Sequence, residues 1–236
     1  MNISLLHLVY SVLLPDTCTL CDSKTNTDLD ICEACFKQLP HNHLCCKTCA
    51  LPLPASLSAE HKPLLCGNCL ANPCTFDFAT IPYLYRPPAD FMVQQLKFKG
   101  ERKFARLMGE LVANSLDKSD LPDLIIPVPQ HTDRFIERGF NHAANLANVI
   151  GKRLRTSVDE GIARRVKAGK SQAGLTARER RMNVRGAFEV AQFSGIHHIA
   201  IVDDVLTTGA TCQSLAMELK KQGCHKVSVW AFARTP

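Results

Sequence analysis

Aromatic side chains are scarce in this 236-residue chain: they make up 6% of it, with one tryptophan and three tyrosines. No uninterrupted apolar run reaches the roughly 18 residues that a bilayer-crossing helix needs, so no membrane span is expected. No lysine or arginine precedes Lys24, and no small-x-small cleavage site follows Leu14. The apolar start MNISLLHLVYSVLL therefore lacks the flanks of a secretory signal and is expected to pack on the protein itself. A hydrophobic content of 46% excludes wholesale disorder. At roughly 100–200 residues per domain, the length suits one or two domains.

Cysteine is the abundant exception. Ten of the twelve lie before residue 75, and only Cys212 and Cys224 lie beyond. Four CxxC pairs stand in tandem: Cys18–Cys21, Cys32–Cys35, Cys46–Cys49 and Cys66–Cys69. A CxxC turn points two thiolates at one tetrahedral ion, and two such turns close a four-sulfur structural zinc site. The gaps of ten residues within the first set and sixteen within the second suit ribbon-like knuckles. Disulfides would require an oxidising compartment, which the N-terminus does not point to. A thiol oxidoreductase would place its CxxC after a βαβ pattern, which is absent here. The expectation is a cytoplasmic protein with two structural Zn2+ sites. Cys46 is preferred to its neighbour Cys45 because it repeats the CxxC spacing. Cys74, His41, His43 and His61 are alternative ligands. A segment this small has little core of its own, so metal binding is expected to fold it.

The texture changes after Cys74, which sets domains at 1–75 and 76–236. Phe76–Tyr85 is strand-like, and Ala89–Lys99 and Glu101–Leu116 have helical spacing on either side of Gly100. Asp123–Val128 reads as a buried parallel strand, Asn141–Arg155 as a helix, and His197–Val202 as a second buried strand. Ala210–Gln222 is helical and stops at Gly223, and Lys226–Ala233 closes as a strand. Strands alternating with helices predict an α/β domain with a parallel sheet. Charge is uneven: residues 133–185 hold 13 Lys/Arg and 5 Asp/Glu, a net +8, against −2 for the rest of the chain. Beyond Arg155 this segment is expected to be a flexible basic loop, placed as a lid over an anionic ligand.

Ile199–Thr211, IAIVDDVLTTGAT, carries the chemistry. An apolar strand ends in two acids, followed by a small-residue turn and a helix. Consecutive N–H groups over Thr207, Thr208, Gly209, Ala210 and Thr211 at a helix N-terminus form an anion cradle. Gly209 permits close approach of a phosphate. Carboxylates would repel that phosphate, so Asp203 and Asp204 are expected to accept from ribose hydroxyls instead. The combination reads as ribose-5-phosphate recognition at the C-terminal edge of a sheet.

This stretch resembles the phosphoribosyl diphosphate (PRPP) motif of type I phosphoribosyltransferases. The chain as a whole is similar to the ComF/GntX family, proteins linked to DNA uptake and competence. The resemblance runs through the paired knuckles, CALPLP (Cys49–Pro54), LKFKG (Leu96–Gly100), PVP (Pro127–Pro129), RGFNHA (Arg138–Ala143), SQAGL (Ser171–Leu175), ERRMNVRGAF (Glu179–Phe188) and VDDVLTTGAT (Val202–Thr211). It implies a double zinc ribbon followed by a type I phosphoribosyltransferase-like sheet flanked by helices, with Mg2+ accompanying PRPP. Asp203 and Asp204 would hold the ribose, with Val205 and Thr207–Thr211 around the phosphate. Pro127, Val128 and Pro129 would form the pyrophosphate loop, while Lys97, Arg138, Asn141 and Arg180 would reach anionic oxygens. His142 departs from the family's usual Gln. The implied activity is pentosyl transfer in DNA uptake or utilisation. The alternative is a non-catalytic PRPP- or nucleotide-binding protein contacting single-stranded DNA or DNA-uptake proteins. Residues 1–75 carry −2, so DNA binding would fall to the basic segment 133–185. Metal analysis of the purified protein is expected to find about two zinc ions per chain; a metal-free, fully folded protein would refute the knuckles.

Overall fold

The structure is a computed structural model that describes residues 17–25, 27, 29–56, 64–131, 139–167 and 186–236. The chain forms two compact units, Met1–Leu39 and Pro40–Pro236. The compositional break at 75/76 and this division do not coincide, because the second cysteine set belongs to the larger unit. The apolar stretch 1–14, His61 and residues 133–138 and 168–185 of the basic segment lie outside the described residues. Among the described residues no helix is long and apolar enough to cross a membrane.

In the smaller unit, the N–H of Cys18 donates to Ser23 O and that of Asp22 to Cys18 O, at 2.7 and 2.9 Å. The turn closes with Asp22 in the left-handed region, φ 58°. Cys32 then caps α1 (Glu33–Lys37), its sulfur accepting from the N–H of Cys35. The larger unit repeats this pattern. Cys46 N–H donates to Leu51 O and Ala50 N–H to Cys46 O, both at 2.8 Å, with Ala50 at φ 52°. Cys66 sits at the N-cap of α2 (Gly67–Ala71). Each set is thus a tight turn followed by a one-turn helix.

The rest of the larger unit is built on a parallel sheet. Its strands are β1 (Phe78–Thr80), β2 (Tyr83–Leu84), β3 (Leu124–Pro127), β6 (His198–Leu206) and β7 (Lys226–Arg234). The order is β1-β7-β6-β3, with β2 also on β7, and every pairing is parallel. β4 (Ala163–Arg165) and β5 (Phe188–Val190) form a separate antiparallel pair. The helices are α3 (Ala89–Lys99), α4 (Arg102–Ser115), α5 (His142–Leu154) and α6 (Ala210–Lys221).

Three expectations need revision. The edge strand from Phe76 to Tyr85 is broken into two pieces at Ile81–Pro82, because proline has no N–H to give to the ladder. β6 does not stop before the acids. It runs through Asp203 and Asp204 to Leu206, pairing Asp203 with Ala231 and Val205 with Ala233. The segment after Arg155 is not all loop, since Ala163–Arg165 pairs with β5 and Ala163 is buried.

β7 is apolar on both faces, and Val227, Val229, Trp230 and Phe232 are all buried. Each such side chain stabilises the fold by about 1.5–3 kcal/mol. The sulfurs of Cys46, Cys49, Cys66 and Cys69 pack in the same core cluster as Phe76, Leu206, Ala210 and Cys212. The second knuckle is therefore part of the α/β core.

α5 sets the near wall of the site, and one glycine lets it lie close to the sheet. A Cβ on Gly151 would collide with Val158 Cγ2 and sit 2.9 Å from the carbonyl oxygen of Thr156. Gly151→Ala would push α5 off its neighbours, and overpacking of this kind costs about 1–3 kcal/mol. Urea unfolding of this variant should show a lower midpoint; an unchanged midpoint would contradict the packing described.

Candidate functional site

At the C-terminal edge of the sheet, the end of β6, the turn after β3 and the last turn of α3 converge. They enclose a cleft of about 130 Å3 lined by Lys97, Val128, Pro129, Asp203, Asp204, Val205, Thr207, Gly209, Ala210 and Thr211 among others. It shares Pro129, Gln130, His131 and Arg165 with a wider groove of about 610 Å3. The placement follows from register: Pro127 pairs with Val202, and Val128 N–H donates to Val202 O at 2.9 Å. The Pro127–Pro129 turn therefore opens beside the two acids.

Asp204 is buried at 3% exposure. Its Oδ1 accepts from the N–H of Val205 at 2.8 Å, and its Oδ2 accepts from Lys97 Nζ at 3.1 Å. His142 Nε2 lies 3.5 Å from the same Oδ2, and His142 Nδ1 is 2.6 Å from Gln130 Nε2. Asp203 Oδ1 accepts from the N–H of Asp204 at 2.9 Å. The two carboxyls are driven apart. Burial, then the adjacent Asp204 charge, pushes Asp203 up to about 8. Burial acts on Asp204 as well, but His142, Lys97 and the Val205 N–H outweigh it and hold Asp204 down at about 2. The Lys97 ammonium and the His142 ring thus both face the Asp204 carboxylate.

The turn after β6 is led by Gly209, the N-cap of α6, at φ 74°. This left-handed conformation is one that glycine adopts without steric cost. It brings the first N–H groups of a twelve-residue helix to the cleft. Thr208 does not line the cleft; its hydroxyl faces the Ala210 N–H at 3.4 Å.

Other site residues are placed differently. Pro127 is buried in β3. Asn141 borders the wider groove as the N-cap of α5: its Oδ1 accepts from Ala143 N–H at 3.0 Å, and its Nδ2 donates to Val128 O at 3.2 Å. It fixes the turn after β3 to the helix. Arg138 and Arg180 lie outside the described residues. Gln130, His131 and Arg165 line the cleft without having been singled out. Gln130 and His131 directly follow the PVP turn at a strand's C-terminal end, a position that marks ligand contact in α/β sheets. Arg165 was hidden by reading its segment as a loop.

The cysteines gather in two groups of four. Ligand atoms of Cys18, Cys21, Cys32 and Cys35 lie within 4.8 Å of one another, as do those of Cys46, Cys49, Cys66 and Cys69. The Cys21–Cys32 and Cys49–Cys66 sulfurs are 3.7 and 3.6 Å apart. Sulfurs at about 2.3 Å from a tetrahedral zinc stand close to this distance from one another, so both sets fit the ion. The Cys35 N–H lowers the Cys32 thiol to about 6. Burial opposes ionisation of Cys46, yet the N–H groups of Cys49, Cys66 and Thr48 bring it to about 7. Cys45 falls in neither group. The Cys74 sulfur is 3.8 Å from that of Cys69, outside the set of four.

The raised Asp203 has a stability consequence. An unfolded aspartate ionises near 3.8, so above that pH the unfolded chain has released a proton that the folded chain keeps. The residue therefore costs stability as pH rises from about 4, and the full cost is reached above about 8. Asp203→Asn should stabilise the ligand-free protein, by a margin that widens from about pH 5 to about pH 8 and then levels. Thermal melts across that range test it; a margin independent of pH would contradict the assignment.

Residues 9–70 match the family model described as the Double zinc ribbon domain. The chain is 33% identical over 211 residues to the DNA utilization protein YhgH of Escherichia coli O157:H7, covering 87% of this chain and 90% of that protein. It is 31% identical over 229 residues to the protein of the same name from Salmonella typhimurium, covering 94% and 98%. It is 33% identical over 213 residues to Competence protein F of Haemophilus influenzae, covering 86% and 90%. Matches of this extent take in the cysteine sets and the α/β domain together, and the chain therefore belongs to the family of YhgH and Competence protein F, the ComF-type family that its motifs resemble.

Proposed function

We propose that the cleft binds PRPP and that the protein is a phosphoribosyltransferase acting in DNA uptake or utilisation. The observation that carries this reading is the run of β6 through Asp203 and Asp204 into the Gly209 turn at the start of α6, with Lys97 on the carboxylate. Hydroxyl donors and a phosphate could not share one surface, and here their partners are separated along the chain. The half-buried Asp203 and buried Asp204 suit ribose hydroxyls, and the helix N-terminus suits the 5-phosphate. The Pro127–Pro129 turn contributes Val128 and Pro129 to the wall of the cleft beside the acids. The buried Oε1 of Gln130, a residue of the cleft wall, has no hydrogen-bond partner among the described residues.

His142, Asp203 and Asp204 offer three ligand atoms within 4.8 Å of one another, a donor set that tolerates a hard divalent cation nearby. Mg2+ carried in with PRPP would neutralise charge on the departing diphosphate. The chain's own part is to hold the ribose by Asp203 and Asp204, orient C1 towards the wider groove, and set Lys97 and Arg165 near the anionic oxygens. Transfer breaks the C1–O bond to diphosphate as an acceptor bonds to C1.

A second reading is favoured by the +8 segment and by the names of the relatives: a PRPP- or nucleotide-binding protein without transfer activity, whose basic segment contacts single-stranded DNA. One experiment separates the two. PRPP with Mg2+ is titrated into wild type and Asp204→Asn, and pyrophosphate is followed with candidate bases and amines. The wild type should bind, with affinity falling at least about tenfold in the variant, since a charged hydrogen-bond acceptor is lost. Acceptor-dependent pyrophosphate marks the transferase, and binding without release marks the second reading. A wild type without affinity for PRPP overturns the PRPP site.

A further inference from the structure

Arg234, the last residue of β7, is an arginine at 6% exposure. Burying a guanidinium is costly unless its N–H groups are satisfied. No carboxylate pairs with it among the described residues; its acceptors there are main-chain carbonyls. Nε donates to Cys49 O at 3.0 Å. Nη1 donates to Leu206 O at 3.0 Å, Thr207 O at 2.6 Å and Thr235 O at 2.5 Å. One edge of the fork thus holds the turn of the second cysteine set, and the other holds the turn that follows β6.

The second grip has a directional consequence. In a trans peptide the C=O and the following N–H point in opposite directions. The carbonyl of Leu206 shares its plane with the N–H of Thr207, and that of Thr207 with the N–H of Thr208. With both carbonyls turned onto Arg234, both N–H groups are turned away from it. Drawing the carbonyls to a cation also polarises the two amides, which strengthens them as donors. A positive charge without a carboxylate lies beneath the same turn. The first grip is anchored by metal-site geometry: Cys49 is one of the four gathered sulfurs, and Ala50 N–H donates to Cys46 O in the same turn.

We infer that Arg234 is a positioning residue that ties the second zinc knuckle to the phosphate turn, so that zinc in that knuckle and a phosphorylated ligand in the cleft support each other's binding. This rests on the reading of Thr207–Thr211 as a phosphate cradle. Only arginine serves both sides, because its planar fork presents donors on separate edges, whereas a lysine ammonium is a single point. Coupling of two bound groups is reciprocal, so it can be read from either one.

The test uses the full chain in its zinc-loaded form, with PRPP and Mg2+ as the probe. Arg234→Lys keeps the charge and should retain both zinc ions while binding PRPP about tenfold more weakly, as expected when charged hydrogen bonds are lost. In the wild type, saturating PRPP should slow transfer of one of the two zinc ions to a chromogenic chelator, and Arg234→Lys should abolish that protection. Equal PRPP affinity in the variant, or zinc release in the wild type that ignores bound PRPP, overturns the inference while leaving the binding site in place. The chelator measurement on the wild type needs no variant and stands if Arg234→Lys does not fold. Absence of PRPP binding by the wild type overturns the cradle and this coupling together.

Discussion

Two carboxyls placed side by side at the end of a buried strand set the terms for everything around them. Desolvation and mutual repulsion make two full charges there untenable. The fold answers with a lysine from α3, an imidazole from α5 and backbone N–H groups from β6 itself. These contributors come from three elements far apart in sequence. Their convergence requires β3 and β6 to be neighbours, and requires α5 to lie close enough to the sheet for His142 to reach Asp204. The site is therefore the place where the order of the sheet becomes electrostatics. Under the proposed function, a ligand with hydroxyl donors would relieve this repulsion.

The zinc knuckles answer a different shortage. The chain has few aromatic side chains to fill space, and ten of its twelve cysteines lie in its first third. Sulfur serves there as both ligand and core. In the smaller unit the ligand atoms of four cysteines gather in a segment whose other buried described residues include Ile31 and Leu39. In the larger unit the four sulfurs are shared with the α/β core, so the second knuckle is stabilised from two sides.

Legibility in the sequence followed the range of the interactions. Local signals were plain: CxxC spacing, apolar runs in β3 and β6, the Gly209 turn, and Asn141 and Gly100 at helix ends. Most elements fell within a residue or two of these marks. What the sequence concealed depends on pairing partners. β6 continues past its acids because β7 is there to pair with it, and Ala163–Arg165 is a strand only because Phe188–Val190 lies opposite. Arg234 gives no signal at all, since a charged residue at the end of a closing strand reads as an exposed terminus. Its partners are carbonyls, which every residue possesses. Gln130 and His131 could have been inferred from their position after the PVP turn.

The break at Pro82 has a further consequence. An open sheet leaves a row of unpaired backbone groups along its outermost strand, and such a row invites another chain to add to it. Here the row is cut short by a residue that cannot donate. On its outer side the chain folds its own segment across: Asn42 N–H donates to Pro82 O at 2.8 Å, Leu84 N–H to Pro40 O at 2.7 Å, and His41 bridges Tyr83 in antiparallel sense. The residues leading into the second cysteine set thus act as a built-in stopper. This sheet margin gives a second copy no template for β-sheet polymerisation, which protects a chain whose strands are otherwise among its most apolar stretches.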